Sequence, residues 1–190
     1  MINTRKNNQS PEKGKLLVSE PFLADYNFKR SVVLLTTHDE TGTIGFILNK
    51  PLNIKLKDVM EVEDYVDVTL YLGGPVQNNT LHYIHSDESL AESSQKIGEN
   101  LYWGGDFEQI LAKLNSNTLD KDKYRFFLGY SGWGAGQLDL EMDIHTWIVT
   151  SSSADIIFQD DDEALWRNVL RNMGGAYKVI SNSPDSPQLN

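Results

Sequence analysis

"SVVLLTTHDETGTIGFILN", residues 31–49, decides the fold. Its two ends, "SVVLLTT" and "GTIGFILN", are mostly apolar and rich in β-branched residues, and "HDETG" between them supplies the Asp, Thr and Gly of a turn, so the stretch predicts a β-hairpin. A strand that is apolar at successive positions, rather than at alternate ones, has both faces covered. The hairpin therefore belongs to a buried central sheet.

Working outward, "GKLLVS" (14–19), "DVTLYL" (67–72), "TLHYIH" (80–85), "YRFFLGY" (124–130) and "HTWIVTSS" (145–152) read as further strands between turn residues. Helical spacing of Ile54, Leu56, Val59 and Met60 predicts a helix over 54–62. Asp106 is a candidate N-cap ahead of Phe107, Ile110, Leu111 and Leu114, which predicts a second. In "DDDEALWRNVLRNMGG" (160–175), Asp160 and Glu163 have capping-box spacing, and Leu165, Trp166, Val169, Leu170 and Met173 lead to Gly174 as the C-terminal stop. The acidic run there reads as helix-start electrostatics rather than a cation site, because it lacks the glycine-broken loop of a calcium ligand set.

At 190 residues, the chain fits one domain that buries roughly 70% of its unfolded surface. We divide it into a polar tail, 1–13, expected to be disordered, and a single folded domain, 14–190. Cysteine is absent, which removes disulfides, thiolate nucleophiles and cysteine metal sites. No leader opens the sequence, and its longest apolar runs fall far short of the roughly 20 residues that span a bilayer. A cytoplasmic protein with no membrane contact is expected. Lys and Arg number 17 against 27 Asp and Glu, a net charge of -10, so direct nucleic-acid binding is not expected.

Chemistry-bearing residues are sparse. Ser131 sits among glycines, but the nucleophile elbow needs glycine two positions to either side, and Trp133 fills the second place. A buried or capping hydroxyl is the preferred role. His38 precedes Asp39 and Glu40, yet neighbouring turn residues point apart, so a hydrogen-bonded turn histidine is preferred over a general base. His82 and His85 lie three apart in a strand and face opposite sides, which prevents them from sharing a metal; one inward and one solvated is expected. Gly73 and Gly74 precede Pro75 without the Lys or Ser of a phosphate loop, and read as a tight turn.

In "GYSGWGAGQLDLEM" (129–142), Gly132, Gly134 and Gly136 alternate around Trp133 and Ala135, fitting neither the dinucleotide nor the Walker pattern. We expect them to turn the chain sharply after "RFFLG", through positive dihedrals or close approach, with Trp133 pinning the turn to the core. Gln137 and Glu141 share one face if a short helix follows Gly136, and would then form a partner surface together with Asn27 and Asn49. For the two asparagines, hydrogen bonding to local backbone is the competing role.

The ordered motifs "GKLLVSEPFLADYNFKRSVVLLTTHDETGTIGFILNKPL", "LGGPV", "LYWGGDF", "RFFLGYSGWGAGQLDLEM" and Trp147 resemble the AlgH/YqgE family over about residues 14–190. The resemblance implies a single-domain α/β layered fold, with a mixed, largely antiparallel sheet flanked by helices. It brings a transcriptional-regulator label carried by some members, but no agreed activity, cofactor or catalytic residues. Ala135 stands where proline is usual. Two functions are weighed. The first is a non-enzymatic binding or regulatory module for an unknown protein or small-molecule partner, acting indirectly on transcription, with no cofactor or metal. The second is a small hydrolase or transferase with a His/carboxylate site assembled by the fold. A pocket holding His38 or His82 against a carboxylate would favour the second.

Overall fold

The computed structural model describes residues 9–184. The expected tail lies outside these residues over 1–8. Of the rest of it, Pro11 is buried, and the Glu12 carbonyl accepts a hydrogen bond from the Lys15 N–H. The strands are β1 (Lys15–Ser19), β2 (Val32–Asp39), β3 (Gly42–Ile47), β4 (Pro51–Lys55), β5 (Thr69–Leu72), β6 (Val76–His85), β7 (Gln95–Gly98), β8 (Leu101–Trp103), β9 (Tyr124–Gly134) and β10 (Trp147–Ser151). The helices are α1 (Phe107–Asn115), α2 (Gln137–Asp143), α3 (Ala154–Ile157), α4 (Asp162–Met173) and α5 (Gly175–Ile180). The strands form one mixed, largely antiparallel sheet in the order β10-β1-β2-β3-β9-β6-β8-β7, with β4 joined to β5 and β5 parallel to β9.

The predicted hairpin is β2–β3, and its continuous apolar runs are explained by cover on both faces. Leu16, Val18, Val32 and Leu34 point to one side, where Leu165, Trp166, Val169 and Leu170 of α4 pack on them. Leu17, Val33, Leu35 and Ile47 point to the other, where they meet Trp133, Trp147 and Leu138 of α2. Each fully buried side chain of this kind contributes about 1.5–3 kcal/mol. Trp166 is fixed further by donating its indole N–H to the Ser19 carbonyl at 2.9 Å. A separate cluster packs α1, through Ile110 and Leu114, against Leu70, Tyr83 and Phe126.

Three expectations are corrected. The helix over 54–62 does not form: Ile54 and Lys55 belong to β4, Lys55 pairs with Thr69, and the Leu56 N–H donates to Val68. Strand pairing overrides the weak periodicity, leaving only a 3₁₀ turn at Leu56–Asp58. At α4 the N-cap is Asp161, whose carboxylate accepts the Ala164 N–H, rather than Asp160. The chain does not turn after "RFFLG", because β9 runs on to Gly134, paired with Gly42–Gly45 of β3. Gly134 lies outside the left-handed region, whereas Gly136 adopts it with φ 71°. Gly73 and Gly74 are places of close approach: a Cβ on either would collide with the backbone of β9, at Gly129 and Ser131.

Candidate functional site

Where β9 ends, Gly136 reverses the chain and α2 begins, laying Leu138 onto the sheet face below. Glu141 then meets both buried indoles of that face. Its Oε2 accepts the Trp133 Nε1–H at 2.9 Å and the Trp147 Nε1–H at 2.7 Å. Gln137 ties the same unit together, donating Nε2–H to Glu141 Oε1 at 3.0 Å and accepting the Gly134 N–H at 3.1 Å. Phe28 closes the cluster, its ring centroid 5.8 Å from Trp133 and 5.4 Å from Trp147. Gln137 and Glu141 thus share a face of α2, of which Glu141 reaches the fold through the two indoles while Gln137 stays exposed.

Beside this face, and away from Leu138, two large apolar residues stand bare. Leu140 is 69% exposed and Ile144, one turn on, 76%. Ile144 borders a cleft of about 560 Å³ whose apolar wall is completed by Pro21, Leu23, Met142, Ile148 and Ile180. Phe22 and Val179, each next in sequence to a wall residue, are also exposed. His145, at the mouth, holds a left-handed φ of 63°, a costly conformation for a residue with a Cβ.

The other predicted site residues are joined to structure more than to solvent. Asn49 bridges two backbone groups, accepting the Val32 N–H and donating to the Arg30 carbonyl, each at 2.9 Å. Asn27 takes its N–H to Asp25, and its carbonyl accepts Lys50 Nζ at 2.5 Å. Its neighbour Phe28 brings this loop against Trp133 and Trp147, so Asn27, Gln137 and Glu141 belong to one end of the molecule. His38 lies elsewhere on the hairpin, its Nδ1 2.7 Å from Thr43 Oγ1. Ser131 is fully buried and donates to the Gly73 carbonyl.

Residues 16–178 match the AlgH-like family. The chain belongs to that family. A UPF0301 protein of Cytophaga hutchinsonii is 45% identical over 179 residues, covering 94% of this chain and 98% of its own. Another, of Chlorobium phaeobacteroides, is 40% identical over the full length of both chains. Among solved structures, the AlgH protein of Pseudomonas aeruginosa superposes with a TM-score of 0.73 at 25% identity, covering 93% of this chain and 97% of its own. A protein of Corynebacterium diphtheriae gives 0.76 at 23% identity, with 92% and 94% covered.

Sequence reasoning missed the polar networks of this AlgH-like chain. His85 is buried between the rings of Tyr102 and Tyr124. Its Nδ1 accepts the Asp87 N–H, so Nε2 carries the proton and faces Ser94 and the Gly104 carbonyl. Burial holds its pKa below the usual imidazole range, and does the same for His82, which packs against Phe46 and Trp103 instead of standing solvated. The two histidines do face opposite sides. Burial works against the Asp87 carboxylate, but hydrogen bonds from Lys113, Tyr124 and Ser89 outweigh it and keep its pKa well below the carboxylate range. In β9, buried Arg125 donates to the Leu48 carbonyl, the Gln159 carbonyl and Asp162, beneath the ring of Tyr71. Among the described residues no group of three or more His, Asp or Glu is placed to hold a metal, and no helix is long and apolar enough to cross a membrane. These networks come from residues remote in sequence; the Asp87 to Lys113 contact spans 26 positions, beyond any local spacing rule.

Proposed function

We propose that this AlgH-like chain is a non-enzymatic binding module of the cytoplasm that engages a partner protein through the outer face of α2 and the adjoining cleft, so that any effect on transcription is indirect. One observation carries the reading: Leu140 on the short helix α2 and Ile144 just past its end stand exposed, while Glu141 and Leu138 hold that helix to the core. Exposed apolar groups on a rigid support fit association, because little ordering entropy is lost on binding. The partners of His38 and His82 support it too. They are the hydroxyls of Thr43 and Thr80, where a hydrolase reading wants a carboxylate.

Site-specific photo-crosslinking in cells tests the proposal. A crosslinking residue at Leu140 is expected to give a discrete adduct that Ile144→Ser abolishes, while one at the exposed but remote Tyr65 gives none. Equal crosslinking from both positions, or an adduct indifferent to Ile144→Ser, overturns it.

A further inference from the structure

The polar edge of α2 speaks to the chemistry of the partner. Leu140 and Ile144 form one exposed stripe, four residues apart, and Asp139 and Asp143 form a second beside it with the same spacing. Glu20 lines the neighbouring cleft, so the apolar patch has carboxylates on two sides. Lys178 of α5 opposes them, next to Val179. None of Asp139, Asp143 and Glu20 belongs to the ion pairs found among the described residues, which involve Glu12, Asp67, Asp87, Asp120 and Asp162. The whole chain adds a net charge of -10 behind them.

An apolar stripe beside an acidic one is the complement of a helix that carries Lys or Arg along the edge of its own apolar stripe. Resting on the docking proposal above, we infer that the segment seated on α2 is a basic amphipathic helix of a partner protein. Its apolar side chains lie on Leu140 and Ile144 and enter the cleft, and its cations meet Asp139, Asp143 and Glu20. An acidic partner meets like charge there. An anionic membrane does as well, since interfacial helices that hold such surfaces present Lys and Arg, not Asp, on their polar face.

The test uses the full chain and three dye-labelled amphipathic helical peptides that share one leucine stripe and differ in polar residue: lysine, glutamine or glutamate. Fluorescence anisotropy is expected to rank them lysine, glutamine, glutamate, with the glutamine peptide weaker than the lysine peptide by about fivefold or more and the gap closing at high salt. Asp139→Asn with Asp143→Asn should weaken only the lysine peptide. The same charge change at exposed Glu61→Gln with Glu63→Gln should leave it unchanged, which separates local pairing from general attraction. If the glutamine peptide binds as tightly as the lysine peptide, or the two double variants behave alike, the basic partner is overturned while docking on α2 stands. If Leu140→Ser with Ile144→Ser leaves every peptide unaffected, docking on α2 itself falls. Because all the altered side chains are exposed, the variants are expected to keep the fold, which circular dichroism checks.

Discussion

Two buried indole N–H groups share one carboxylate oxygen of Glu141, and that arrangement sets the energetics of the motif around it. Hydrogen bonds to a charged acceptor are worth more than neutral ones, and deleting the acceptor strands both donors. We expect Glu141→Ala to cost about 2–4 kcal/mol, and Glu141→Gln about half as much because the amide oxygen still accepts. Urea denaturation followed by tryptophan fluorescence measures both; a loss below about 0.5 kcal/mol for the alanine variant would show that the indoles do not depend on this residue. The glycines nearby divide in a way that spacing alone could not reveal. Gly134 lies in strand backbone, and the nearest atom to an added Cβ is 4.0 Å away, so Gly134→Val is expected to be neutral within about 0.5 kcal/mol. Gly136 has φ 71°, so Gly136→Val should cost more than about 1 kcal/mol despite the open space around it. The same denaturation curves decide, and the reverse order would place the turn at the wrong glycine. Quoted as letters, Gly132, Gly134 and Gly136 look equivalent; only the length of β9 distinguishes them.

At the scale of elements, the sequence signal was strongest where local pattern and tertiary packing agree. The β2–β3 hairpin, α1 with its Asp106 cap and α4 ending at Gly174 were all legible, since each carries a full stripe or run of apolar residues bounded by a stop. The segment 54–62 was not, because its apolar positions suit two periods and the pairing of Lys55 with Thr69 selects one. Of the site, the placement of Gln137 and Glu141 on one helix face was legible from their spacing. That Glu141 turns inward onto two indoles was not, since it depends on Trp133 and Trp147 converging from β9 and β10. Strand β6 supplies a pH prediction. Burial lowers the folded pKa of His85 and His82 below the unfolded value near 6.5, so the folded state binds fewer protons than the unfolded chain below that pH. Stability is therefore complete above about pH 6.5 and is lost as pH falls through this region. The Asp87 carboxylate, held low, adds a separate loss only below about pH 4. Urea midpoints should decline from pH 7 to pH 5, and a flat profile over that interval would rule out buried neutral imidazoles.

Across the whole molecule, charge decides between modes of action that the fold leaves equal. Duplex DNA is held by cations that displace counterions from phosphate, and affinity scales with the number of such contacts. Of the 17 Lys and Arg of this chain, five among the described residues are already engaged. Lys15, Lys55, Lys113, Lys123 and Arg125 are already in ion pairs with carboxylates of the same chain, and Arg125 is buried. The net charge of -10 also repels the phosphate backbone. The face of α2 carries Asp139 and Asp143, so the surface best suited to docking is among the least suited to phosphate. We therefore expect no duplex to bind more tightly than roughly micromolar at physiological salt. Anisotropy of labelled duplexes under a salt titration checks this. Sub-micromolar, sequence-dependent binding with a steep salt slope would refute it.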